Sequence, residues 1–150
     1  MSVSTGVFPC YENQFAIDTS TTSTPSWKTI ADCETFEVSF DNGVEEWTPF
    51  ESEGWVRRLM TAKSVTITVS AKRNVGDDGN DFIAGLTFAN GRSAEANFKW
   101  TFQDGTEVIF CADNKAVINV TNNSGGDSTA VAPLEFEVMS NGKPTVTLPS

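Results

Sequence analysis

Alternation of apolar and polar residues with a period of two is the feature that most narrows how this chain can fold. Phe36, Val38 and Phe40 alternate with Thr35, Glu37 and Ser39. Val65, Ile67, Val69 and Ala71 alternate with Thr66, Thr68 and Ser70, and Phe98, Trp100 and Phe102 with Lys99 and Thr101. Leu134, Phe136 and Val138 alternate with Glu135 and Glu137. Successive side chains of a strand point to opposite faces, so each segment has one face to bury and one to leave polar. Val108 to Cys111 is apolar on both faces and reads as an interior strand; Ala116 to Thr121 reads as another. The pattern predicts a mainly β chain, an antiparallel β-sandwich or small barrel.

Other segments complete that expectation. Asp41-Asn42-Gly43, Gln103-Asp104-Gly105 and Asn141-Gly142 carry residues suited to the positive φ of tight hairpins. Between Asp81 and Asn90 the apolar Phe82, Ile83, Leu86 and Ala89 recur at helical spacing. One short flanking α-helix is predicted there, capped by Asp78 or Asn80, stopped at Asn90-Gly91 and packed on the outside of a sheet. Asp41 to Ser64 reads as a long inter-strand loop in which Trp47, Phe50, Trp55 and Leu59 are interleaved with charges of both signs. Loops of that length and composition are often interaction elements. Residues Met1 to Ser26 read as an extended N-terminal arm, polar from Ser20 to Thr24 and carrying Phe8, Phe15 and Ile17 as sparse anchors. The expected organisation is therefore an arm at 1–26 and a single β domain at 27–150.

Composition excludes several kinds of chemistry. The chain has no His, which removes the commonest general base, Ser-His-Asp triads and His-based metal sites. Glu135 and Glu137 share a strand face roughly 6.6 Å apart. That spacing loosely suits a glycosidase pair, but a solvated polar face explains it with fewer assumptions. Asp77-Asp78-Gly79-Asn80-Asp81 lacks the ligand spacing of a calcium loop and suits a helix N-terminus instead. No cofactor is expected, and the chain reads as not an enzyme. Cys10, Cys33 and Cys111 are widely spaced and odd in number, which points to reduced thiols in a cytosolic setting. The net charge of −10 repels nucleic acid and anionic membrane surfaces. No apolar run is long enough to cross a bilayer as a helix.

The order of short motifs carries a resemblance. Trp27-Lys28-Thr29-Ile30 is followed by a strand ending in Asp41-Asn42-Gly43, then Glu45-Glu46-Trp47-Thr48-Pro49, Glu53-Gly54-Trp55 and Arg58-Leu59. Thr61-Ala62-Lys63-Ser64 leads into a Thr-rich strand, then Lys72-Arg73-Asn74 and Gly76-Asp77-Asp78-Gly79-Asn80-Asp81. Gly125-Gly126-Asp127-Ser128 and Gly142-Lys143-Pro144-Thr145 close the series. Over roughly Trp27 to Thr145 the chain resembles the tail tube (major tail) proteins of long-tailed bacteriophages of Gram-positive hosts.

That resemblance implies a structural subunit of the virion, assembled in the host cytoplasm. Six copies would form a ring whose sheets join into one inner barrel, and rings would stack into a hollow tube. Partners would be further copies of the chain and other tail proteins such as the tape measure and terminator, while DNA transits without specific binding. The long loop, with Trp47, Phe50, Glu51, Glu53, Trp55, Arg57 and Arg58, would reach a neighbouring subunit or ring. Candidate lumen-facing residues are Glu37, Ser39, Thr66, Thr68, Asn97, Lys99, Glu135 and Glu137, of which Lys99 departs from a uniformly negative lining. The competing readings are a tube subunit of a phage-derived bacteriocin or injection particle, and a non-catalytic β-sandwich that binds a surface or carbohydrate.

Overall fold

The computed structural model describes residues 6–20, 24–111 and 114–148. The described residues form ten strands in two five-stranded sheets. The strands are β1 (Gln14–Asp18), β2 (Trp27–Thr29), β3 (Cys33–Trp47), β4 (Arg57–Lys72), β5 (Glu95–Ala96), β6 (Phe98–Thr101), β7 (Glu107–Phe110), β8 (Ala116–Asn123), β9 (Pro133–Met139) and β10 (Thr145–Thr147). One sheet has the order β10-β7-β6-β1-β2 and the other β3-β4-β9-β8-β5, with antiparallel pairing throughout. The two sheets form an open sandwich rather than a closed barrel.

The alternating segments bury the faces expected of them. Ile67, Val69, Phe98, Leu134, Phe136 and Val138 are inaccessible to solvent. Phe36 of the second sheet stacks edge-on against Phe15 and Trp100 of the first, at centroid distances of 4.9 and 5.9 Å. Burial of such side chains supplies roughly 1.5–3 kcal/mol each, and here it couples the two layers. β7 lies inside its sheet between β6 and β10, as an apolar run on both faces requires.

Several local expectations differ from the structure. Gln14–Asp18, expected within the arm, is an interior strand between β2 and β6, with Phe15 and Ile17 buried in the core. Two apolar residues on one face suffice once strands flank both edges. Residues 1–5 and 21–23, the rest of the arm's polar run among them, lie outside the described residues.

Asp41-Asn42-Gly43 makes no turn: it continues β3, paired with Ser64, Lys63 and Ala62. The register shifts between Gly43 and Val44, leaving Thr61 as the extra residue of a β-bulge. A Cβ on Gly43 would stand 2.9 Å from that of Ala62, so Gly here serves close strand approach. Gln103-Asp104-Gly105 does make the β6–β7 hairpin, with Gly105 at φ +94°. Asn141-Gly142 turns the chain from β9 into the other sheet and joins no paired strands.

The helix, α1, spans Asp78–Ala84, earlier than the predicted 81–90. Asp77 caps it by accepting the Asn80 N–H at 3.0 Å, and Gly85 ends it. It contacts β1 and β2 of one sheet and β8 of the other, so it closes a side of the sandwich rather than lying on the outside of a sheet.

Candidate assembly interface

The segment expected as a long loop is mostly strand. β3 and β4 pair from Cys33↔Ala71 to Trp47↔Arg57, leaving only 48–56 as the tip. β9 accompanies β4 only from Thr66 to Lys72. Beyond that the hairpin runs on as a two-stranded ribbon with solvent on both faces. Paired residues share a face, so Phe40, Val44 and Met60 continue the apolar side past the core, while Trp47 and Leu59 stand on the other side. All five are exposed. A lone two-stranded ribbon is marginal in water, and its exposed apolar side chains make it a candidate contact surface.

The tip has a defined shape without any core beneath it. Phe50–Ser52 forms a 3-10 turn, Glu53 takes a left-handed conformation at φ 53°, and Gly54 follows at φ +93°. The Ser52 hydroxyl bonds to the carbonyls of Pro49 at 2.9 Å and Trp55 at 2.7 Å. Phe50 is fully exposed and Trp55 is 80% exposed. Arg58 pairs with Glu46 across the ribbon at 3.1 Å. Glu51, Glu53 and Arg57 are exposed beside the aromatics.

A second surface lies on the β3-β4-β9-β8 sheet, on the face turned away from the core. The register sets Glu37, Thr68, Glu137 and Asn119 in one row across the four strands. Thr35, Ser70, Glu135 and Asn122 make a parallel row, and Ser39 and Thr66 flank the first. Asn119 donates to Glu137 at 2.9 Å and Asn122 to Glu135 at 3.0 Å. Lys72, at the end of this face, pairs with Glu34 at 3.2 Å.

Of the eight polar residues grouped by the alternation pattern, six meet on this face: Glu37, Ser39, Thr66, Thr68, Glu135 and Glu137. Asn97 and Lys99 do not. Asn97 donates to Asp18 at 2.8 Å, and Lys99 lies in the other sheet, 3.7 Å from Glu107 and 4.9 Å from the Trp27 ring. Asn119 and Asn122 also lie on this face but are not among the residues that the alternation pattern grouped there. The polar position of Asn119 within the strand Ala116 to Thr121 was the signal available for it, whereas the irregularity between Val120 and Asn122 hides the second.

The edges of that sheet are unequal. β3 is a 15-residue outer strand paired on one side only. At the opposite edge, the two-residue β5 pairs with Ala116 and Val117, and no described strand continues beside β8 past them. Unpaired edges of this length template pairing with another chain.

No protein-family model matches the chain, and no curated protein matches it in sequence. Solved structures do match in fold. The chain is similar to one in the tail of an empty gene transfer agent particle, refined helically with C6 symmetry, at 18% identity and TM-score 0.69, over 96% of this chain and 100% of that one. It is similar to a chain in the virion of a native gene transfer agent particle, at 18% identity and TM-score 0.69, over 94% and 99% respectively. It is also similar to the tube-terminating cap of an anti-feeding prophage, at 13% identity and TM-score 0.58, over 99% and 95%.

Proposed function

We propose that this protein is a structural subunit of a phage-type tail tube, self-assembling into rings that stack around a channel for DNA. The observation that carries the reading is the projecting β3–β4 hairpin, whose apolar side chains Phe40, Val44, Trp47, Leu59 and Met60 stand exposed. The shared fold with tail chains of a gene transfer agent particle supports it. So does the pair of open edges: β3 of one copy can pair with β8 of the next, a head-to-tail contact that closes into a ring if its rotation allows. The C6 symmetry of the related tail favours six copies per ring. The resemblance to tail tube proteins of phages of Gram-positive hosts accords with this, and further tail proteins would meet the ends of the tube.

On this reading the outward face of the β3-β4-β9-β8 sheet lines the channel. Glu37, Glu135 and Glu137 would present carboxylates to passing DNA, and Lys99 would lie on the far side of the sandwich. Six copies of net charge −10 give a ring with 6 × 10 = 60 net negative charges, a field that keeps a polyanion from adhering. The role is mechanical and needs no catalytic group.

The likeness to an anti-feeding prophage cap favours one further reading, a subunit of a phage-derived injection particle. Both readings require tubes. Electron microscopy of concentrated protein tests them together: tubes or stacked rings are expected, and a persistent monomer that binds glycans would replace both with a carbohydrate-binding module.

A further inference from the structure

Asn42-Gly43, Asn90-Gly91 and Asn141-Gly142 share one dipeptide composition and occupy three different settings. Chemically they are alike. The peptide nitrogen that follows an asparagine can attack the side-chain amide carbon and close a succinimide ring, and a glycine leaves that nitrogen unscreened by any side chain. The attack needs the nitrogen held near the amide carbon and a backbone free to turn into the ring geometry.

Asn42-Gly43 is the most restrained of the three. It lies inside β3, paired with Lys63 and Ala62. The Asn42 amide oxygen accepts from the Lys63 ammonium at 3.2 Å, and the Gly43 carbonyl accepts from the Thr61 hydroxyl at 3.4 Å. Ring closure there would break strand pairing beside the bulge. Asn141-Gly142 is held from the glycine side. A Cβ on Gly142 would collide with the Asn114 amide oxygen, and the Asn114 side chain donates to the Lys143 carbonyl at 2.9 Å, so this turn is packed against its neighbour. Asn90-Gly91 differs from both. The two residues are exposed, in the connection between α1 and β5, and a Cβ on Gly91 would meet nothing within 4 Å. The Gly91 N–H donates to the Asn90 amide oxygen at 2.9 Å, so the attacking nitrogen already stands against the amide that it would attack. The backbone bond from the Ser93 N–H to the Asn90 carbonyl is long, at 3.3 Å, and restrains the pair weakly.

We infer that Asn90 is a site of self-modification in the folded protein, deamidated through a succinimide with Gly91 to a mixture of aspartate and isoaspartate. The Gly91 nitrogen gives up its proton to hydroxide and bonds to Asn90 Cγ. The Cγ–Nδ2 bond breaks and ammonia leaves. Water then opens the ring at one carbonyl to give aspartate or at the other to give isoaspartate. The reaction takes up water and involves no oxidation or reduction. Each event adds one negative charge to the chain's net −10. Isoaspartate also lengthens the main chain by one carbon in the connection that leads to β5, whose residues pair with Val117 and Ala116 at the start of β8. The inference stands on the geometry of the pair and is independent of the tube reading.

Peptide mapping by mass spectrometry tests it, on the full folded chain held for days at neutral and at mildly alkaline pH, with a methyltransferase that labels isoaspartate. Asn90 should convert at least about tenfold faster than Asn42, a difference of ~1.4 kcal/mol in barrier, and faster than Asn141. Conversion should quicken as pH rises, because the peptide nitrogen must lose its proton. In the chain unfolded by urea the three pairs should convert at similar rates, so that any difference between them in the folded chain belongs to the tertiary structure. Asn90→Gln, whose extra methylene makes the ring harder to close, should remove most of the isoaspartate label. A smaller gap between Asn90 and Asn42, a faster Asn141, or a label undiminished in Asn90→Gln overturns the inference. So does an Asn90 that stays intact in the folded chain for as long as the unfolded chain takes to convert fully.

Discussion

Glu37 of β3 and Glu137 of β9 stand on the same row of one sheet face, with Thr68 of β4 between them. Neighbouring strands are about 4.8 Å apart, so the two carboxylates lie roughly 10 Å from each other. Neither is buried in the core, so their charge acts on whatever passes over the face.

Replacing Glu37, Glu135 and Glu137 with Lys should leave assembly intact and make tubes retain DNA at low salt. Each lysine adds roughly one released counterion to binding, so retention should fall steeply as salt rises. Loss of the Asn119 and Asn122 bonds to Glu137 and Glu135 should cost about 0.5–1.5 kcal/mol each. Co-sedimentation of tubes with DNA across a salt series is the measurement. Tubes whose DNA retention matches the native level at every salt would place this face away from the channel.

The hairpin should be separable from the fold. Trp47 and Arg57 are directly paired, so 48–56 can be replaced by Asn-Gly, a two-residue turn that fits antiparallel strands. The shortened chain should melt within a few degrees of the native one, because no core residue is removed, and should stay monomeric. Sedimentation velocity distinguishes the states. Normal tubes from the shortened chain would reduce the tip to a passive cover.

Asn80 should be the most sensitive polar position. Its side chain is wholly buried, donates to the carbonyls of Lys72 at 2.8 Å and Ala31 at 3.3 Å, and accepts from Arg73 at 2.9 Å and the Asn74 N–H at 3.0 Å. It thereby ties the end of β4 to α1 and to the turn before β3. Asn80→Ala should cost about 2–4 kcal/mol by stranding buried donors and acceptors. Asn80→Asp should cost at least as much, since a carboxylate would face two carbonyls. Urea unfolding gives both values, and a loss under about 0.5 kcal/mol for either would contradict this account.

Asp18 should make stability depend on pH at the acid end. Burial raises its pKa, but hydrogen bonds from Ser20, Ser26 and Asn97 outweigh that and bring it down to about 2, below the ordinary 3.8. A depressed carboxylate contributes stability above its unfolded pKa and loses it as pH falls through the folded value. The contribution is on the order of 2 kcal/mol near neutrality and should vanish below about pH 2. Asp18→Asn should therefore be less stable than the native chain at pH 6, with the gap narrowing toward pH 2. A gap that stays constant over that range would mean that Asp18 is held by shape rather than charge.

Much of the fold was legible because the signal is local. The alternation at Val65–Ala71 and Leu134–Val138 assigned buried and polar faces without knowledge of partners, since the direction of each side chain is set by its position in the strand. Elsewhere, local chemistry misled. Asp41-Asn42-Gly43 carries a turn composition, yet pairing with β4 on one side holds it extended, and glycine serves the close approach of Ala62. The helical spacing of Phe82, Ile83, Leu86 and Ala89 predicts a helix that runs to Asn90-Gly91, yet it ends at Gly85.

By itself the sequence determined the class of architecture, the amphipathic strands, the want of catalytic histidine and the negative charge, all properties of residue identity and spacing along the chain. Only the tertiary structure decided which strands are neighbours. It took Gln14–Asp18 into the core, separated Lys99 and Asn97 from the six polar residues they resemble, and turned a supposed loop into a projecting ribbon. Strand pairing joins residues far apart in the chain, and the hydrogen bonds that fix it are backbone bonds common to every sequence. The choice of partner therefore rests on how all the apolar faces can be buried at once, which no single segment encodes.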